Sequence, residues 1–131
     1  MDMLAVARER GIEVRWDDLG ARHGEYGDGV VTLNHHRSEE VQRIVLAHEL
    51  GHAWHRHRPT SEPGRSVRQE READEHAAML LVQPWEFRRA ELMYGPHVGA
   101  VAAELSVPAR FVERLREVAR RGGCARRCES A

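Results

Sequence analysis

Two imidazoles and a carboxylate are spaced for metal chemistry in His48-Glu49-Leu50-Gly51-His52. Histidines four apart on a helix project to one side, close enough to bind one tetrahedral zinc ion. Glu49, beside His48, can then reach a water at the open coordination position. That arrangement suits metal-assisted hydrolysis, in which zinc polarises a carbonyl and a carboxylate removes a proton from water. Nine histidines are present in all, so the motif alone is weak support.

A catalytic zinc needs a third protein ligand while one position stays open. Glu70 and Asp74 lie four apart on the next helical stretch. Glu70 is positioned to ligate, and Asp74 to hydrogen-bond the outer nitrogen of a ligating histidine and fix its tautomer. Glu72 is the rival third ligand, on a different helical face. His55 and His57 extend the cluster as extra ligands or transition-state donors, and Tyr26, His23, His35 and His36 are candidate oxyanion donors. Cys124 and Cys128, with three residues between them and no partner pair, make a poor zinc site and read as free thiols.

The elements that must hold these groups follow from patterning. Met1 to Arg10 reads as a helix stopped by Gly11, and Ile12 to Trp16 as a half-buried strand. Asp28-Gly29 is a turn leading into the strand Val30 to Asn34, with which Glu25-Tyr26 pairs. Ser38 caps a helix whose first turn holds Glu39 and Glu40, favourable at the positive end of its dipole. Val41, Val45, His48 and His52 form one stripe of that helix, and Val41, Ile44, Val45 and Leu46 carry it inward. Gly51 costs about 1 kcal/mol against alanine in a helix interior, which is tolerable if another backbone passes close beside it. Arg56 to Gly64 reads as a loop, Ser66 to about Gln83 as a long helix with Ala73, Ala77, Leu80 and Leu81 inside, and 85–93, 97–104 and 108–121 as shorter helices.

The whole chain sets the outer bounds. Its 131 residues suit one domain, with 122–131 as a flexible tail. Strands first and helices after give an α+β class. A net charge of -1 offers no global field for nucleic acid or membrane, and the absence of lysine among the 20 basic residues reads as coding bias. The first residues lack the apolar run of a secretory signal and no stretch is long enough to span a membrane, so a cytoplasmic protein is expected.

The pairing of His48-Glu49-Leu50-Gly51-His52 with Glu70-Arg71-Glu72-Ala73-Asp74-Glu75-His76-Ala77-Ala78 resembles the ImmA/IrrE family of zinc metallo-endopeptidases, over roughly Leu19 to Leu115. Its second motif usually reads Glu-x-x-Ala-Asn-x-Phe-Ala; this chain has Asp74 for the asparagine and His76 for the phenylalanine. The resemblance implies a minimal zincin: a small twisted sheet packed on an active-site helix, with a C-terminal helical cap. It implies His48, His52 and Glu70 as zinc ligands and Glu49 as general base. It further implies cleavage of a regulatory protein, such as a helix-turn-helix repressor, inducing mobile-element or stress-response genes. Two alternatives stand beside it. Val101 to Val112 resembles a helix-turn-helix, and seven arginines against four glutamates over 98–131 would suit a DNA-binding regulator; the other is a zinc-binding interaction module without turnover. Direct nucleic-acid binding is not expected.

Overall fold

A computed structural model describes residues 2–122. In chain order the elements are α1 (Met3–Glu9), β1 (Glu13–Asp17), β2 (Gly24–Gly27), β3 (Val30–Asn34), α2 (Glu39–Trp54), α3 (Pro63–Leu81), α4 (Pro84–Tyr94), α5 (Val98–Leu105) and α6 (Ala109–Arg120). The class is α+β. Two compact units divide inside α3, Met1–Ala73 and Asp74–Ala131. The tail beyond Gly122, with Cys124 and Cys128, lies outside the described residues.

In the first unit the strands form one mixed sheet in the order β1-β3-β2, with β1 parallel and β2 antiparallel to β3. Asp28 and Gly29 link β2 to β3 with φ of 51° and 76°. Positive φ at both central residues gives a hairpin turn whose twist matches the flanking strands. Val31 and Leu33 alternate onto one face of β3 and are buried, as are Leu46, Ala47 and Leu50 of α2, which packs on β2 and β3. Gly24 permits that packing: a Cβ there would lie 2.5 Å from Val45 Cγ1.

Asn34, wholly buried at the end of β3, ties down the preceding loop. Its Nδ2 donates to the carbonyls of Gly20 (3.0 Å) and Arg22 (2.8 Å), and its Oδ1 accepts from the His36 amide at 3.0 Å. A buried amide satisfied on both ends avoids a desolvation penalty of about 1–3 kcal/mol. Ser38 caps α2 as expected, its Oγ accepting from the Val41 amide at 3.2 Å.

Two expectations need correction. Within β1 only Val14 of the expected apolar face is partly covered, and Trp16 is 49% exposed. It lies on an outer strand, walls a pocket of about 550 Å³ with Met3, Leu4, Leu33 and Leu46, and turns its indole N–H to Gln42 Oε1 at 2.8 Å. A buried indole would need such a partner inside the core, and the rim supplies one outside it. α3 also begins at Pro63, three residues before Ser66. Proline suits a first helical turn, where its missing N–H would have no partner and its φ is already helical.

The second unit is helical, around buried Leu80, Phe87, Val101, Phe111, Val112, Leu115 and Val118. Arg116 makes a forked pair with Glu91 (2.8 and 2.9 Å) and donates to the Gly95 carbonyl at 3.0 Å. α5 ends on Ser106, at φ 55°. The amide of Val107 returns to the Ala102 carbonyl at 3.1 Å and that of Ser106 to Ala103 at 3.2 Å. This is a Schellman cap, and it folds buried Val107 back over buried Ala102. No described helix is long and apolar enough to cross a membrane.

Candidate metal centre

The site is built in the first unit, where α2 meets the first half of α3. Leu46, Ala47 and Leu50 fix the buried side of α2, leaving His48, Glu49 and His52 only partly covered. Gly51 then sets how closely α3 approaches. A Cβ there would stand 2.5 Å from the Ala73 carbonyl oxygen and 2.8 Å from its Cα, so the backbone of α3 runs directly against the glycine. This is the close passage that Gly51 predicts. Glu70 lies three residues before Ala73 and is thereby brought level with the histidines.

Three heteroatoms converge as a result. Glu70 Oε2 is 2.9 Å from His48 Nε2 and 3.0 Å from His52 Nε2, and the two ring nitrogens are 3.1 Å apart. Donors bonded at about 2.0–2.1 Å to one tetrahedral ion are separated by about 3.3 Å. The triangle fits a small divalent ion held by two imidazoles and one carboxylate. Glu49 also offers an oxygen within 4.8 Å of the ligand atoms of His48 and His52. Glu70 is the carboxylate at contact distance from both nitrogens, so the three-donor set is drawn through it.

The environment tunes the groups unequally. Burial, above all, holds the Glu49 carboxyl above the usual carboxylate range; His48 opposes this, and the charges of Glu70 and Glu25 reinforce it. Burial likewise keeps His52 below the ordinary imidazole value, aided by His48 and His57 and opposed by Glu70. A neutral imidazole keeps a lone pair for coordination, and a carboxylate with a raised pKa is a better proton acceptor.

Glu72 does not join the triangle: its Oε1 is 2.9 Å from His57 Nε2. Asp74 Oδ2 accepts from Arg110 Nε at 3.2 Å. His23 Nδ1 accepts from Arg37 Nε at 2.8 Å, His36 faces exposed Asp18 at 3.5 Å, and the His35 and His36 rings meet at a tilt of 36°. Tyr26 lies in β2, and exposed His55 stacks on His57.

Spacing missed the link between His57 and His52, whose Nδ1 atoms are 2.9 Å apart. It arises because α2 ends on Arg56 at φ 55°, where the His57 amide turns back to the His52 carbonyl at 3.0 Å and the Arg56 amide bonds that of Ala53 at 3.1 Å. The only sequence signal for it is a histidine at the second position beyond the helix end.

No curated protein matches the chain. A family model, Peptidase_M78, described as the IrrE N-terminal-like domain, matches residues 7–116 and so contains both helices of the donor triangle. The chain belongs to the family of the IrrE N-terminal-like peptidase domain.

Proposed function

We propose that this protein is a zinc-dependent endopeptidase. The observation that carries the reading is the triangle of His48 Nε2, His52 Nε2 and Glu70 Oε2, with edges of 2.9, 3.0 and 3.1 Å. Three protein donors leave a catalytic zinc one open position, whereas a structural site closes all four. This favours turnover over a passive zinc module. His48, His52 and Glu70 hold the metal, which when bound polarises the scissile carbonyl and acidifies water. Glu49 takes the proton from the attacking water and passes it to the leaving amine. Asp74 is assigned a supporting role at the histidines, on its spacing four residues beyond Glu70 and on the family resemblance.

The substrate is a protein segment in extended form. β2 is an outer strand that packs on α2, and the Glu25 charge on it is felt at Glu49. A peptide adding to that edge would pass beside the general base. The family points to a cytoplasmic transcriptional repressor as that substrate, its cleavage inducing mobile-element or stress-response genes.

Setting direct DNA binding aside is supported by four of the five arginines of α6 and its end. Arg110, Arg114, Arg116 and Arg121 lie on Asp74, Glu117, Glu91 and Glu75 at 3.2, 3.0, 2.8 and 2.7 Å. Phosphate contacts would have to break those pairs, so a duplex titration should show no steep salt slope.

The deciding experiment combines metal analysis with a search for a helix-turn-helix repressor encoded beside this gene and a test of its cleavage. About one zinc per chain is expected, lost in His48→Ala and His52→Ala. Glu49→Gln should keep the metal and lose cleavage by at least about 100-fold. Full zinc in both histidine variants, or full cleavage by Glu49→Gln, would refute the assignment.

A further inference from the structure

The cluster of His57 and Glu72 beside the donor triangle has no part in the chemistry above, yet it is built with the same care. His57 has only 9% of its side chain exposed and makes contacts at both ring nitrogens. Nδ1 is 2.9 Å from His52 Nδ1, and Nε2 is 2.9 Å from Glu72 Oε1. The rings of His52 and His57 meet edge to face with centroids 5.1 Å apart.

Proton bookkeeping along this chain has one consistent solution for neutral rings. An ionised carboxylate only accepts, so His57 must carry its proton on Nε2 to donate to Glu72. Its Nδ1 is then an acceptor, and His52 must donate from its own Nδ1. That leaves the lone pair of His52 on Nε2, the atom facing Glu70 and His48. Each tautomer follows from the hydrogen-bond network.

We propose that Glu72 and His57 form a positioning relay that selects the metal-binding tautomer of His52 and fixes its ring. This rests on the metal-centre reading. The carboxylate that usually orients a ligating histidine is here one imidazole further away. Neither residue touches substrate or metal. Arg56 in the left-handed region is what makes the relay reachable, because the cap at that residue returns His57 over His52.

The test is a competition titration of zinc against a chromophoric chelator on the full chain, with circular dichroism to verify folding. His57→Phe and Glu72→Leu should each weaken zinc about 10–100-fold, the range found for removing groups behind a metal ligand. Because the two act in series, the double variant should be no weaker than His57→Phe. His57→Gln, with an acceptor and a donor on one amide, should recover most of the affinity. In the zinc-loaded wild type, nitrogen-15 NMR should find His57 protonated on Nε2.

Unchanged affinity in His57→Phe, additive losses in the double variant, or a proton on His57 Nδ1 would each overturn the relay. His55, His57 and Glu72 also hold ligand atoms within 4.8 Å of one another. A second equivalent of zinc lost with His57 would therefore assign the cluster to its own cation, against the relay. A wild-type chain that binds no zinc would refute the metal centre itself, and the relay with it.

Discussion

α2 and α5 end on the same backbone device and put it to different use. Each closes with a non-glycine residue at φ 55°, Arg56 in one and Ser106 in the other, and each sends the next amide back five residues, at 3.0 and 3.1 Å. At α5 the returning side chain is Val107, buried over Ala102, and the gain is apolar packing. At α2 it is His57, set against His52, and the gain is an oriented proton. The cap supplies only a geometry, the sixth residue laid over the first, and the residue type at those two places decides between packing and chemistry.

If that contrast is right, damage at the α5 end should register as stability and damage at the α2 end as metal affinity. The largest effect is expected from Phe111→Ala, which empties a wholly buried ring position just after the α5–α6 turn. It should cost about 3–5 kcal/mol by urea denaturation. A loss below about 1 kcal/mol would mean that this end is not primarily packing.

Gly51→Ala comes next. The new methyl would meet the Ala73 carbonyl at 2.5 Å, so α3 must give way. Overpacking of about 1–3 kcal/mol exceeds the roughly 1 kcal/mol that alanine returns in helix propensity. Since Glu70 moves with α3, zinc affinity should fall as well. A variant that is more stable and binds zinc normally would show that the close approach is dispensable.

pH should separate the two ends more gently. The His52 pKa is lowered in the fold by burial and by His48. The unfolded chain therefore takes up that proton first, and the stability tied to neutral His52 is present above about pH 6.5 and is lost as pH falls through the folded value. Metal-free protein should lose stability on acidification from about pH 7, and His52→Gln should flatten the dependence. An unchanged slope in the variant would remove His52 as its source.

The smallest effects are expected at the caps themselves. Arg56→Gly and Ser106→Gly each relieve a left-handed residue and should stabilise by up to about 1 kcal/mol. Zinc affinity should stay unchanged in both, because neither alters the path of the chain. Weakened zinc binding in Arg56→Gly alone would mean that the arginine side chain itself serves the site.

Much of this was legible in the sequence because it is local. Ser38 as a cap, Asp28-Gly29 as a hairpin turn and β3 over Val30–Asn34 depend on neighbours a few positions away. Gly51 was legible for another reason: its helix penalty demands a cause, and the Ala73 backbone is that cause. The placement of Trp16 was not, because alternation reports a strand's faces but not whether a neighbouring element covers them. Spacing put Glu70 and Glu72 on different helical faces without saying which face meets the histidines. In the fold Glu70 reaches His48 and His52 while Glu72 meets His57, whose place depends on one backbone angle at Arg56.

The contact of Gly51 with Ala73 has a last consequence, for where this chain can be lengthened. The height of Glu70 against the histidines is set where the two backbones touch, and not by the connection from Arg58 to Glu62, most of which is exposed. Extra residues there would cost only loop entropy, about 0.6 kcal/mol for each doubling of length. That connection is therefore a natural splice point, where a tag or a recognition segment could be grafted without retuning the metal centre. The same insertion some two turns into α3, between Glu70 and Ala73, would put the glutamate out of register.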